Sequence, residues 1–130
     1  MKALSRQQAT TAIVAVRFVL GTASWFLPRL TARLMLIDLG HNAAAALLLR
    51  LFGVRDVYLG VTVLGAEPGK RNRLLSIGVA VDLFDVAACV IAGLTGQTSK
   101  RAAVLSSTAG TLGAALGAAA VGVGPLARKD

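Results

Sequence analysis

The sequence predicts an all-α integral membrane protein, a four-helix bundle with a short interfacial amphipathic helix between spans one and two. Three observations carry this. Apolar residues gather in four blocks, about 9–27, 42–66, 74–94 and 102–126, each near the ~20 residues a helix needs to cross a bilayer. Only short polar segments, "EPGKRNR" (67–73) and "TGQTSKR" (95–101), separate the last three blocks, so consecutive helices are antiparallel neighbours in one domain. Mean hydropathy is +0.70, yet the formal net charge is +8. Most of the cations flank the blocks, where they meet lipid headgroups.

Block one starts after Lys2 and Arg6. Arg17 interrupts its apolar run and no A-x-A site follows it, so it reads as a first membrane helix rather than a cleaved signal peptide. It ends at "WFLPRL", where Trp25 and Phe26 suit an interfacial belt and Pro28 stops the helix. In "RLTARLMLIDLGHN", Leu30, Leu34 and Ile37 recur at helical spacing, with Arg29, Arg33 and Asp38 off that stripe. This is the pattern of a helix lying in the interface, with Gly40 to end it and Asn42 to cap the next. Block two would run roughly 37 Å as a helix, so it tilts or begins outside the hydrocarbon. The tail "PLARKD" (125–130) reads as a charged, frayed end.

Lys2, Arg6, Lys70, Arg71, Arg73, Arg128 and Lys129 fall on one side of this topology; Arg29, Arg33, Lys100 and Arg101 fall on the other. The excess predicts both termini in the cytoplasm. Residue usage rich in Ala, Gly, Val, Leu and Arg is typical of high-GC bacteria, which points to the bacterial cytoplasmic (inner) membrane. No aromatic-interleaved basic patch or nucleic-acid motif is present, so nucleic acid is not an expected partner. Cys89 is the single cysteine; it makes no intrachain disulfide and is expected as a buried, inert thiol. His41 stands alone at an interfacial break, so no metal site and no cofactor are expected. No P-loop, G-x-S-x-G, H-E-x-x-H or CxxC occurs.

Five charged residues lie deep in the blocks: Arg17, Arg55, Asp56, Asp82 and Asp85. Counted from the cytoplasmic end of each helix, all five fall roughly 12–17 Å in, at 1.5 Å per residue. Three helices therefore bring charge to one level. Block three contributes about −5 kcal/mol of insertion energy against roughly +5 to +7 kcal/mol for two central aspartates, so it needs cations from its neighbours. Asp82 and Asp85 share a face at i, i+3, and Arg55 is expected to bridge them while Asp56 turns to Arg17. Tyr58, at i+3 from Arg55, can donate into the cluster. Two cations face three anions, so one carboxylate is left over and is expected to hold a proton at neutral pH.

Gly110, Gly113 and Gly117 of block four form a small-residue stripe that permits close helix packing, inside the bundle or against a partner or second copy. "FGVRDVYLG" (52–60) followed by "VDLFD" (81–85) resembles a family of small four-helix membrane proteins of actinobacteria and some fungi. These carry G-x-R-D/E in helix two, a basic turn, and paired acids in helix three. Gly53, Arg55, Asp56, Asp82 and Asp85 match, and the resemblance covers about residues 10–125. The family has no general assigned activity, so the resemblance implies a fold rather than a reaction.

Three functions follow from the deep charges. The first is a non-catalytic subunit or accessory protein of a membrane assembly, in which the cluster is a structural lock and span four meets a partner. The second is a small membrane enzyme that isomerises or cyclises a lipid or terpenoid, with Asp56, Asp82 and Asp85 as acid and base and Arg55 and Tyr58 in support. The third is proton or ion transfer, disfavoured because the half of the spans beyond the cluster lacks polar residues other than Arg50. Buried Arg–Asp pairing suits the lock and intramembrane ionisable groups suit a site; an open apolar pocket lined by these carboxylates favours the enzyme, and a packed, dry cluster favours the subunit.

Overall fold

The computed structural model describes residues 3–128, and these form five helices. Helix α1 (Arg6–Phe26) opens with a capping box: the Ser5 hydroxyl accepts from the Gln8 N–H at 3.2 Å, and the Ser5 N–H donates to Gln8 Oε1 at 3.0 Å. It stops where Pro28 forces Leu27 out of the helical region, and Pro28 then starts α2 (Pro28–Leu34), where a missing N–H loses nothing. The chain leaves α2 through Leu36, in the left-handed region at φ 55°, rather than through Gly40. The Asp38 carboxylate accepts from Gly40 N at 2.7 Å, and Asn42 Oδ1 accepts from Ala44 N at 3.1 Å. Helix α3 (Ala44–Leu64) follows.

Helix α4 (Pro68–Leu94) begins earlier than the polar turn suggests. Glu67 precedes it and Pro68 takes its first turn, so Lys70, Arg71 and Arg73 already lie on the helix. Gly96, at φ 74°, turns the chain, and Ser99 caps α5 (Lys100–Val121) by accepting from Ala102 N at 3.1 Å. Gly122 ends α5 in the left-handed conformation, short of the expected Leu126. The segment after it is not frayed through Arg128. Leu4 N donates to Leu126 O and Arg128 N to Leu4 O, both at 2.9 Å, which ties the two described ends of the chain together. Lys129 and Asp130 lie outside the described residues.

Helix α1 packs along α3, α4 along α5, and α1 also meets α5, whereas α3 and α4 barely touch. The α1–α3 crossing is set by two glycines: a methyl on Gly21 would lie 2.7 Å from Gly53 O. This backbone contact gives the glycine of "FGVRD" its purpose. A cluster of packed apolar residues (Ala9, Ile13, Val14, Val63, Leu75, Leu116, Ala119 and Ala120) fills the end of the bundle that holds the termini.

Helices α1, α4 and α5 are long and apolar enough to cross a membrane. Helix α3 matches α1 in length at 21 residues but carries Arg50, Arg55 and Asp56. Large apolar side chains line the outside, with Phe84 77 % and Leu94 83 % exposed; a surface of that kind calls for an apolar surrounding. Together these mark a membrane protein. The interfacial stripe reads differently in three dimensions: α2 turns Thr31 and Ala32 inward, while Leu30 and Leu34 face out.

Candidate functional site

The five deep charges meet. Arg17 of α1 is 5 % exposed and lies between two helices, donating to Asp82 Oδ2 of α4 at 2.8 Å and to Asp56 Oδ1 of α3 at 3.4 Å. Arg55 of α3 grips Asp85 of α4 with both terminal nitrogens, at 2.8 and 2.6 Å, and also donates to Asp56 Oδ1 at 3.1 Å. Its guanidinium stacks 4.5 Å from the centroid of the Phe52 ring. The partners thus differ from the expected set: Asp82 pairs with Arg17, Arg55 takes Asp85 alone, and Asp56 is shared. Among the described residues, the hydrogen bonds that join α3 to α4 are those of Arg55 with Asp85.

Two glycines make room for the cluster. A methyl on Gly78 of α4 would stand 2.9 Å from an Arg17 terminal nitrogen, and one on Gly113 of α5 would stand 2.9 Å from Asp82 Oδ2. Gly110 and Gly117 receive Val86 and Val79 of α4, so the small-residue stripe packs inside the bundle. Tyr58 does not join the cluster; it is 65 % exposed. It lies about 200° around the helix from inward-facing Asp56, at roughly 100° per residue, which puts it on the outer face.

A cavity of about 1010 Å³ opens from the cluster toward the end of the bundle away from the termini. Arg17, Asp56, Asp82 and Asp85 form its floor, while Arg55 holds Asp85 and is not among the lining residues. Leu48, Leu49 and Phe52 of α3 face Ala88, Cys89 and Ala92 of α4 across it. The volume exists because α4 and α5 offer small residues here, including Ala103, Ser106 and Gly110. Asp38, His41 and Asn42 stand at the rim. Cys89 is therefore half-buried on a cavity wall rather than sealed in a core.

Two features of the site escape a reading of the sequence. Ser24, on the α1 wall, is fully buried, and its hydroxyl has no hydrogen-bond partner among the described residues. Asp82 Oδ1 and Asp56 Oδ2 likewise accept from no described residue. The signal available for the cavity was the run "AACVIAG" (87–93), whose small residues thin the far half of α4.

At the rim, Asp38 Oδ2 lies 2.8 Å from His41 Nδ1. That hydrogen bond raises the His41 pKa above its ordinary 6.5 and, with the Gly40 N–H, lowers that of Asp38 below 3.8. Among the described residues no cluster of His, Cys, Asp and Glu has the form of a metal site. Compared with known proteins, the chain matches no family model, no curated protein and no solved structure.

Proposed function

We propose that this is a small membrane enzyme that takes a lipid-like or terpenoid molecule into the cavity and isomerises or cyclises it by acid–base chemistry at the buried carboxylates. The observation that supports this reading is the continuity between apolar walls and a floor of three aspartates and one arginine. A packed lock would leave no such volume. Asp85, held by two Arg55 nitrogens, suits the role of a fixed anion. Asp82, whose Oδ1 accepts from no described residue, suits the acid, and Asp56 the base. The acid gives its proton to an alkene carbon or epoxide oxygen. The cation that results rearranges or closes a ring, and a second carboxylate removes a proton from a neighbouring carbon. The net change is isomerisation.

The setting we propose is a bilayer crossed by α1, α3, α4 and α5, in a bacterial inner membrane with both termini cytoplasmic. Helix α3 enters as the fourth span because its two deepest charges are neutralised inside the bundle. In this setting the chain is one of the small four-helix proteins whose Gly-x-Arg-Asp pattern it shares. The packed apolar end closes the cluster on the side of the termini, which argues against an ion path. The alternative, a non-catalytic subunit that meets a partner or a second copy through α5, has less support because Gly110, Gly113 and Gly117 are already engaged by α4.

Deuterium uptake tests the proposal. Membranes containing the protein, incubated in heavy water with an isoprenoid alkene, should transfer deuterium to carbon, and Asp82→Asn should reduce the transfer at least about 100-fold, the usual size of a lost acid–base group. Equal uptake by wild type and Asp82→Asn sinks the reading.

A further inference from the structure

The cavity floor carries an unequal charge. Three carboxylates and the Arg17 guanidinium line the space, while Arg55, which is not among the lining residues, neutralises Asp85 through both of its oxygens, so the cluster as a whole has one carboxylate in excess. Helix α5 adds no ionisable side chain to this level, only Ser106, Gly110 and Gly113. Asp82 Oδ1 and Asp56 Oδ2 are acceptors with no donor among the described residues. An acceptor-rich floor under apolar walls favours a group that brings positive charge, since an anion would meet like charge in a poorly solvated site. Independently, the Ser24 hydroxyl on the wall is fully buried without a partner. Such a group is unfavourable unless something else in the cavity bonds to it, so the wall as well as the floor is built for a guest.

From this we infer that the cavity recognises an amphiphilic cation, an aliphatic chain ending in a protonated or quaternary amine, with the nitrogen at Asp82 and Asp56 and the chain between Phe52 and Ala92. The inference rests on the proposed function only in sharing its cavity. It also deepens that reading: once the acid has protonated a substrate, its carboxylate faces a carbocation, and a lipophilic amine imitates that charge. Amines of this class are then inhibitors as well as ligands.

Cys89 supplies the readout, because it lines the wall. The full chain in detergent is treated with a maleimide in the presence of decyltrimethylammonium, decanol or decanoate at equal mole fraction in the micelle. The cation should protect Cys89 at concentrations at least about tenfold below the alcohol, equivalent to ~1.4 kcal/mol, and decanoate should protect least. Asp56→Asn and Asp82→Asn should each erase the advantage of the cation while the alcohol still protects. Equal protection by cation and alcohol overturns the inference and leaves the enzyme reading standing. Protection by none of the three shows that the cavity admits no amphiphile, and it overturns both. Should either variant fold poorly, the ratio of cation to alcohol in the wild-type protein still decides.

Discussion

The two halves of this bundle are built by the same helices and have opposite interiors. Toward the termini, Val63, Leu75 and Leu116 fill the centre and Gly117 receives Val79. Beyond the charge cluster, Ala88, Ala92 and Ser106 line an open space together with Leu48 and Phe52. One half is a core and the other a container, and the ring of Arg17, Arg55 and three aspartates is the boundary between them. Side-chain size on α4 and α5 makes the difference, since those two helices remain paired along their length. A cluster serving only to lock helix register would need no container above it.

The comparison is broken most directly at Arg17. It is 5 % exposed and bonds to carboxylates on two other helices. Arg17→Ala leaves Asp56 and Asp82 without their shared cation and should cost about 3–5 kcal/mol, a large part of the ~5–15 kcal/mol that holds a small domain. Unfolding of the purified protein in a denaturing detergent measures it. A loss below about 1 kcal/mol would mean that the boundary does not hold the halves together.

Volume tests the contrast itself. Ala119, 0 % exposed in the packed half, should not accept a larger side chain; Ala119→Leu should cost about 1–3 kcal/mol through overpacking. Ala92→Leu, which projects into the cavity, should stay within about 0.5 kcal/mol of wild type while displacing any bound amphiphile. If the two variants lose equal stability, the far half is packed in the working protein and the container is not there.

The cluster was legible in the sequence because helical rise is fixed: counting residues is enough to put Arg17, Arg55, Asp56, Asp82 and Asp85 at one level. Which charge meets which was not legible, because partners depend on how each helix rotates about its axis. Here the Gly21–Gly53 contact turns Asp56 inward, leaves Arg55 at the margin and sends Tyr58 outside. The cavity was less legible still. Its volume is a difference between residues far apart in the chain, such as Phe52 against Ala88, and the run "AACVIAG" (87–93) displays only one side of it. The tether of Leu4 to Leu126 and Arg128 is backbone bonding, to which side-chain identity gives no clue.

A smaller effect sharpens the boundary. Arg55 and Asp85 are less enclosed by protein than Arg17, with side chains 31 % and 32 % exposed. A double-mutant cycle on this pair should give a coupling of about 1 kcal/mol or more, the upper end for pairs that water screens. Arg55 with Asp82 should be additive within about 0.5 kcal/mol. Coupling of Arg55 to Asp82 as strong as its coupling to Asp85 would restore the bridge expected from the sequence and would place Arg55 on the cavity floor.

The smallest effect belongs to the rim, where Asp38 and His41 are both exposed. The hydrogen bond that His41 donates to Asp38 raises the His41 pKa above 6.5. Whatever stability the pair lends is therefore fully present below pH 6.5, provided Asp38 is ionised, and is lost as pH rises through the raised His41 value. Because Asp38 titrates below 3.8, acidification removes the same bond only at the far end of the range. Proton NMR of the single histidine should find its midpoint above 6.5 in wild type and back near 6.5 in Asp38→Asn, with no change in the unfolding midpoint between the two. A His41 titration indifferent to Asp38→Asn would show that the rim loop does not hold this turn. A fall in stability would show that the rim, and with it the mouth of the open half, is as tightly built as the closed end.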